Sequence, residues 1–413
     1  MLGVSVIFLI ILVWFVSVLL HITNLRYSFK AVLPDVLKDV IDEETFKKSK
    51  FYLKDRTILS ILNLTVIAIC QVVILMWLLP LIDEAFSYSN LNVLFKAFLC
   101  WMVVQLVFIL VQLPIRIYKT MYLDKKYDLS NVKWGKFWGD FFKSLFLRSV
   151  LTLFASVLYV AVFKISNLTS NWWILLAVVL SAVMVFIEWI YPILISPLFN
   201  KFTPVQGEIR EKIANLAEKA GFKVKSVYIM DASTRTKAAN AYLTGVGSSR
   251  RVVLYDTIMN YPEEEILAVL AHELGHHKHK HIFKMLAISL AGMWILSYLC
   301  HVVLETGFIQ KLFSLKSTFS SLAAFVIVLN LVGFFVMPVF NWMSRKFEYQ
   351  SDEYSAKLMG SSKPLINSLK RLIKQNLSNP LPSLVYATWY YTHPAPVDRI
   401  MHLELYQKRA QPS

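Results

Sequence analysis

The stretch Ala268–His281 holds five histidines within ten positions, and two of them bracket a glutamate in His272-Glu273-Leu274-Gly275-His276. On a helix, residues four apart share one face about 6 Å apart along the axis, so two imidazoles placed there can reach one Zn²⁺ with bonds of about 2.0–2.1 Å. Glu273, beside the first histidine, is placed to take a proton from an activated water rather than to ligate. The small residues Ala271 and Gly275 leave room for a substrate next to it. His277, His279 and His281 belong to a different pattern. They stand among Lys278 and Lys280, and no glutamate follows His277, so they fit a solvated, basic helix end entering the headgroup layer. One zinc per chain is expected, not two.

A hydrolytic zinc takes three protein ligands and keeps a fourth position open. In Asn341–Gly360, Glu348 and Asp352 are again four apart. Glu348 is expected to ligate. Asp352 is expected to accept from the far nitrogen of a ligand histidine, His272, and so fix its tautomer. Alone, with Glu353 beside it, the pair equally fits a solvated acidic face; the histidine pair upstream favours the ligand reading. His393 and Arg399 carry the chemistry to stabilise an oxyanion and to hold a carboxylate. By themselves, a loop histidine and a surface arginine account for them as well.

The elements that must position these groups are mostly apolar. Of 413 residues, 56 % are hydrophobic and 17 % charged, against a globular norm of roughly 45–50 % and about 25 %. The excess falls in runs long enough to cross a bilayer as helices, near Leu2–Ile22, Thr57–Ile82, Val93–Ile115, Lys143–Phe163, Asn171–Ile195, Met285–Glu305 and Ser320–Phe340. The first has no basic residue before it and no small-residue cleavage site after it, which favours a retained anchor over a signal peptide. Lysines and arginines crowd the connections after the first, third and fifth runs and the tail. The positive-inside rule therefore puts the N-terminus outside (or lumenal) and the C-terminus in the cytosol. Loops facing anionic headgroups account for the net charge of +16 without nucleic acid. Cys70, Cys100 and Cys300 all lie in apolar runs and offer no disulfide framework.

Two stretches are not membrane-like, Asn200–Lys284 and Asn341–Ser413, and both fall on the cytosolic side of that topology. The first predicts a helix over Gly207–Ala220, a strand over Val224–Asp231 and a hairpin turning at Gly245–Ser249. A helix follows, opened by Pro262 and Glu263–Glu265, and it carries the two histidines. The second is helical, broken at Gly360–Pro364 and around His393–Pro396. The domain boundaries expected are 1–199 (five spans), 200–284 (first half of the metal domain), 285–341 (two spans) and 342–413 (second half). Within the spans, Glu188, Asn63, Gln71, Gln105, Gln112 and Asn330 are polar. Such residues face a water-filled interior or bond helix to helix, and composition alone does not choose. A seven-span transporter would also suit them, but transport needs no general base beside a hydrolytic metal.

The ordered set Asp42–Tyr52, Ile190–Val205, Asn240–Gly245, Val252–Thr257, Ala271–His281, Ser344–Gly360 and Thr392–Ile400 resembles the type I CAAX prenyl proteases, which are integral-membrane zinc metalloproteases. The resemblance covers most of the chain. It implies a mainly α membrane protein in which a seven-helix transmembrane barrel encloses a chamber, capped by a cytosolic α+β zincin protease domain. It implies His272, His276 and Glu348 as ligands and Glu273 as base. It places His393 near the scissile bond and Arg399 at the substrate's terminal carboxylate. It implies that an edge strand at Asn240, Ala241 and Tyr242 pairs with an extended peptide. The expected substrate is a prenylated protein or peptide C-terminus that loses its aaX tripeptide. The expected setting is a bilayer, the endoplasmic reticulum membrane in a eukaryote and otherwise the plasma or inner membrane, with a monomeric enzyme. The family's usual alanine before the second-helix aspartate is Ser351 here. A general quality-control protease with no prenyl requirement is the alternative.

Overall fold

The computed structural model describes residues 2–166, 169–222, 226–244 and 251–410. Among them, seven helices are long and apolar enough to cross a membrane, and each contains one of the runs predicted. The first five are α1 (Leu2–Lys30), α2 (Glu43–Ser87), α3 (Val93–Lys126), α4 (Trp134–Ser166) and α5 (Trp172–Phe199). A single π turn interrupts each of α2, α3 and α5. In α2 it ends two residues before Pro80 and in α5 it contains Pro192, each a residue with no N–H for the hydrogen-bond ladder.

After α5 the chain leaves the bundle. Strand β1 (Phe202–Pro204) leads to α6 (Glu208–Lys219), β2 (Ser226–Met230), β3 (Ala241–Thr244) and β4 (Arg251–Tyr255). The sheet order is β1-β2-β4-β3, with β2 and β4 parallel and the outer pairs antiparallel. Ala241 lies opposite Leu254 and Tyr242 opposite Val253, so β3 is the edge strand. The turn predicted at Gly245–Ser249 lies outside the described residues.

Helix α7 (Glu263–Lys278) starts as its sequence dictates, with Pro262 before it and three glutamates in its first turn. It is not the one-faced helix its spacing suggests. Ile266, Ala268, Val269, Leu270, Ala271, His272, Leu274 and Gly275 are all buried, because later helices, α6 and β3 surround it. Its leucines join Leu37, Ile213, Leu254, Leu365 and Ile400 in one core. The loop between the first two spans therefore belongs to this core too. Lys370 pairs with Asp39 of that loop at 2.8 Å, and Arg235 grips Asp140 of α4 bidentately at 2.9 and 3.0 Å. These contacts fix the extramembrane unit on the bundle.

Two boundaries differ from the sequence expectation. The division at 284/285 falls inside α8 (His281–Thr306). The one at 341/342 falls inside α9 (Thr318–Met359), a helix of 42 residues that continues past Pro338 and carries the seventh span into the metal domain. Composition changes at Asn341, but nothing there stops a helix until Gly360, whose φ of 72° caps it. The chain closes with α10 (Lys363–Asn376), α11 (Leu384–Tyr390) and α12 (Pro396–Ala410).

Candidate metal centre

The centre lies where α7 crosses α9. Gly275 makes the crossing close: a Cβ there would stand 2.9 Å from the Cα of Ser351. The glycine expected to leave space for a substrate is therefore spent on helix packing, a correction to the sequence reading. One turn away, the Ser355 hydroxyl donates to the Ala268 carbonyl at 2.7 Å. This contact sets the register in which Glu348 meets the two histidines.

His272 Nε2 and His276 Nε2 are 3.2 Å apart. Glu348 Oε2 lies 3.3 Å from the first and its Oε1 3.3 Å from the second. Tetrahedral bonds of about 2.0–2.1 Å put ligand atoms about 3.3 Å apart, and each imidazole stands at that distance from one of the two Glu348 oxygens. The buried Glu348 Oε2 accepts no hydrogen bond from the described residues. Three carboxylates, Glu273, Glu348 and Asp352, interact here with one guanidinium, Arg399, leaving negative charge that a divalent cation offsets. The donor set and its charge both fit a metal ion.

Asp352 is fully buried and accepts from His272 Nδ1 at 2.8 Å. Burial works against a charged His272, yet Asp352 and Glu348 outweigh it and hold the ring's pKa at about 9. Burial pushes the Glu273 carboxyl above the usual range, against the pull of both histidines. Arg399 donates to Asp352 from Nε at 2.9 Å and from Nη2 at 2.6 Å. Its Nη1 stands 3.6 Å from Glu348 Oε2, and its side chain is only 11 % exposed. The group expected to hold a substrate carboxylate is thus already bidentate to an internal one. His393 Nε2 is 3.3 Å from Glu348 Oε1 and its side chain is 60 % exposed. The structure therefore brings Glu348, Asp352, His393 and Arg399 to the two histidines. Glu353, read as part of an acidic face, pairs instead with His402 at 2.9 Å. Tyr242 and Ala241 lie in the edge strand β3, which packs on α7, and the Asn240 carbonyl accepts from Tyr255 N at 2.9 Å.

Sequence reasoning missed two groups. Arg345 donates to the carbonyls of Ala387 at 3.0 Å and Tyr391 at 2.7 Å, securing the segment that carries His393. Nothing in its spacing signals this. His281 is the second. It is 2 % exposed and not at a solvated end. Lys280 takes a left-handed φ of 56°, which ends α7, starts α8 and turns His281 back toward the centre.

Two histidines and a glutamate on crossed helices, a further glutamate next to the first histidine and a seven-helix bundle beneath define a membrane-embedded metalloprotease. Residues 204–407 match the model of peptidase family M48, and residues 23–201 match that of the CAAX prenyl protease N-terminal region, five membrane helices. The chain belongs to this family of CAAX prenyl proteases. It is 32 % identical to CAAX prenyl protease 1 of Saccharomyces cerevisiae over 90 % of this chain and 88 % of that one. A homologue in Arabidopsis thaliana is 30 % identical, covering 90 % of both. The crystal structure of S. mikatae Ste24p superposes with a TM-score of 0.88 at 27 % identity, over 97 % of this chain and 98 % of that one. Membership of a metallopeptidase family implies a metal at this centre.

Proposed function

We propose that this protein is a zinc endopeptidase that removes the aaX tripeptide from prenylated Cys-a-a-X C-termini. His272, His276 and Glu348 would hold one zinc per chain, and Asp352 fixes the first of them from behind. When bound, the zinc would act as a Lewis acid, making water reactive near neutral pH and polarising the scissile carbonyl. Glu273 takes the proton of the attacking water and returns it to the leaving amine. His393 donates from Nε2 to the oxyanion; the Thr392 hydroxyl, 2.9 Å from its Nδ1, can keep the proton on Nε2. Arg399, held by Asp352, offers Nη1 to the substrate's carboxylate. The free edge of β3 at Asn240–Tyr242 pairs with the extended peptide. The metal domain faces the cytosol and the N-terminus the opposite side, and the protein works as a monomer.

The observation that carries the substrate is the shape and polarity of the bundle's interior. A cavity of about 540 Å³ is lined by Arg56, Arg116, Lys119 and Arg148, and no acid joins them in its wall. Gln105, Phe108 and Arg148 also line an adjoining cavity of about 880 Å³, whose wall is mostly Leu, Val, Ile, Ala and aromatic. An apolar cavity of this size suits an isoprenoid chain. It does not suit an ordinary soluble peptide. Purified protein should cleave a farnesylated Cys-a-a-X peptide faster than its unprenylated twin. Equal rates would leave the protease and remove the prenyl requirement, which is the quality-control alternative.

A further inference from the structure

The two ligand histidines are supported from behind in different ways. His272 donates to a carboxylate. His276 Nδ1 instead faces another imidazole, with His281 Nδ1 at 3.1 Å. The far nitrogen of His281, Nε2, lies 2.8 Å from Gln350 Oε1. The ring itself is stacked on Phe347, 4.1 Å between centroids and 10° from parallel.

With the Gln350 carbonyl oxygen facing His281, as the structure places it, the proton positions follow in turn. A carbonyl oxygen only accepts, so Nε2 of His281 carries hydrogen. A neutral His281 then presents a lone pair at Nδ1. Two facing nitrogens 3.1 Å apart share one proton, so it belongs to His276 Nδ1. That leaves His276 Nε2, the atom beside Glu348, with its lone pair free for the metal. Reversing any bond reverses the outcome. A donor at position 350 would put the His281 hydrogen on Nδ1 and push the His276 hydrogen onto Nε2, where it blocks ligation.

We infer that His281 and Gln350 form a neutral hydrogen-bond relay that selects the metal-binding tautomer of His276 and fixes its ring, as Asp352 does for His272. Phe347 holds the relay's plane. Both are positioning residues: neither touches the metal site. The inference rests on His276 being a ligand. Outer partners of this kind typically change metal affinity by about 10–100-fold.

The test is zinc affinity of the full-length protein in detergent, measured by competition with a chelating dye and needing no substrate. His281→Phe keeps a ring to stack on Phe347 and removes the acceptor; zinc binding should weaken by about 10–100-fold. The exposed Gln350 gives a second handle that spares the fold. Gln350→Glu keeps an acceptor and should bind zinc as wild type does. Gln350→Met, of similar shape without the carbonyl, should bind more weakly. Wild-type affinity in His281→Phe overturns the relay. So does equal weakening by Glu and Met at 350, since that pattern belongs to packing. A wild-type protein that holds no zinc would overturn the metal reading and the relay together, and the dye titration of wild type alone shows it.

Discussion

The metal centre and the interior of the bundle treat polar groups in opposite ways. At the centre, His272, Glu348 and Asp352 are 6, 4 and 0 % exposed, and each faces a named partner on another helix. In the bundle, Arg56, Arg116 and Arg148 line a cavity without a carboxylate among the described residues of its wall, and Asn330, which lines the second cavity, bonds to its own helix at Val326 O. The first arrangement is preorganised: three side chains that could hold a metal ion already converge, so little would be lost on binding. The second is open: its cations and amides border cavities of about 540 and 880 Å³. On the proposed function, chemistry belongs to the rigid region and selection to the open one. They are joined by α9, which lines the apolar cavity with Ala323 and Ile327 and carries Glu348 about six turns beyond the second of these.

Removing a ligand breaks the rigid region most completely. Glu348→Ala should lower zinc content from about one per chain to near zero and abolish cleavage. His279→Ala, outside the ligand set, should retain both. Metal analysis that shows equal loss in the two variants would mean that the division of the histidines is wrong. Glu273→Gln is the next largest. It should keep zinc while turnover falls by about 10²–10⁴-fold, the usual scale for a general base. A Glu273→Gln protein with near wild-type kcat would take the proton transfer away from Glu273.

Arg399 holds Asp352 at the centre and is proposed to hold the substrate's carboxylate, and its variant tells how much it serves each. A charge-assisted bond to the substrate's carboxylate contributes about 1.5–3 kcal/mol, or roughly 10- to 150-fold in kcat/KM. Arg399→Ala should show that loss on a free-acid peptide and little further loss on its C-terminal amide, because both changes delete one contact. Losses that multiply would assign Arg399 wholly to Asp352. Zinc affinity should then fall as well, since Asp352 is left buried without its cation. Filling the open region should have a smaller effect with no metal component. Ala155 lines the apolar cavity, and Ala155→Trp should raise KM for a farnesylated peptide by about 10-fold, on the scale of a few buried methylenes. Its zinc content should remain that of wild type. An unchanged KM would move the isoprenoid out of this cavity.

The ligands are legible in the sequence because their information is local. A four-residue spacing on a helix puts side chains on one face whatever surrounds it, so the amino-acid order alone pairs His272 with His276, and Glu348 with Asp352. What is not legible depends on backbone geometry or on distant contacts. His281 reads as solvated because its neighbours are Lys278 and Lys280; only the left-handed turn at Lys280 brings it inward. Gly275 reads as space for a substrate and is a helix contact, because the partner, Ser351, is 76 residues further on. The two readings of the intramembrane amides are not exclusive. Gln105 lines both cavities and also donates to Thr152 on a neighbouring helix at 2.7 Å, whereas Glu188 lines neither of these cavities.

The smallest effect expected concerns Ser351, and it tests how tightly the rigid region is closed. Ser351 is fully buried, and its hydroxyl finds no hydrogen-bond partner among the described residues. An unmet buried hydroxyl costs about 1–3 kcal/mol in desolvation. Ser351→Ala removes that cost and gives up only a few van der Waals contacts at the crossing. It should therefore be neutral or stabilise by up to about 1 kcal/mol, read as a small rise in melting temperature, with zinc affinity unchanged. The other side of the same contact should respond in the opposite sense. Gly275→Ala would put a methyl 2.9 Å from the Ser351 Cα, a backbone atom that no rotamer change can move away. Helix α9 must then shift as a body, at about 1–3 kcal/mol for overpacking, and Glu348 shifts with it. Zinc affinity should fall along with stability. If Ser351→Ala proved the more damaging of the two, its hydroxyl would be holding the crossing together through a bond, and the close approach of the two helices at Gly275 would not be what sets the ligand geometry.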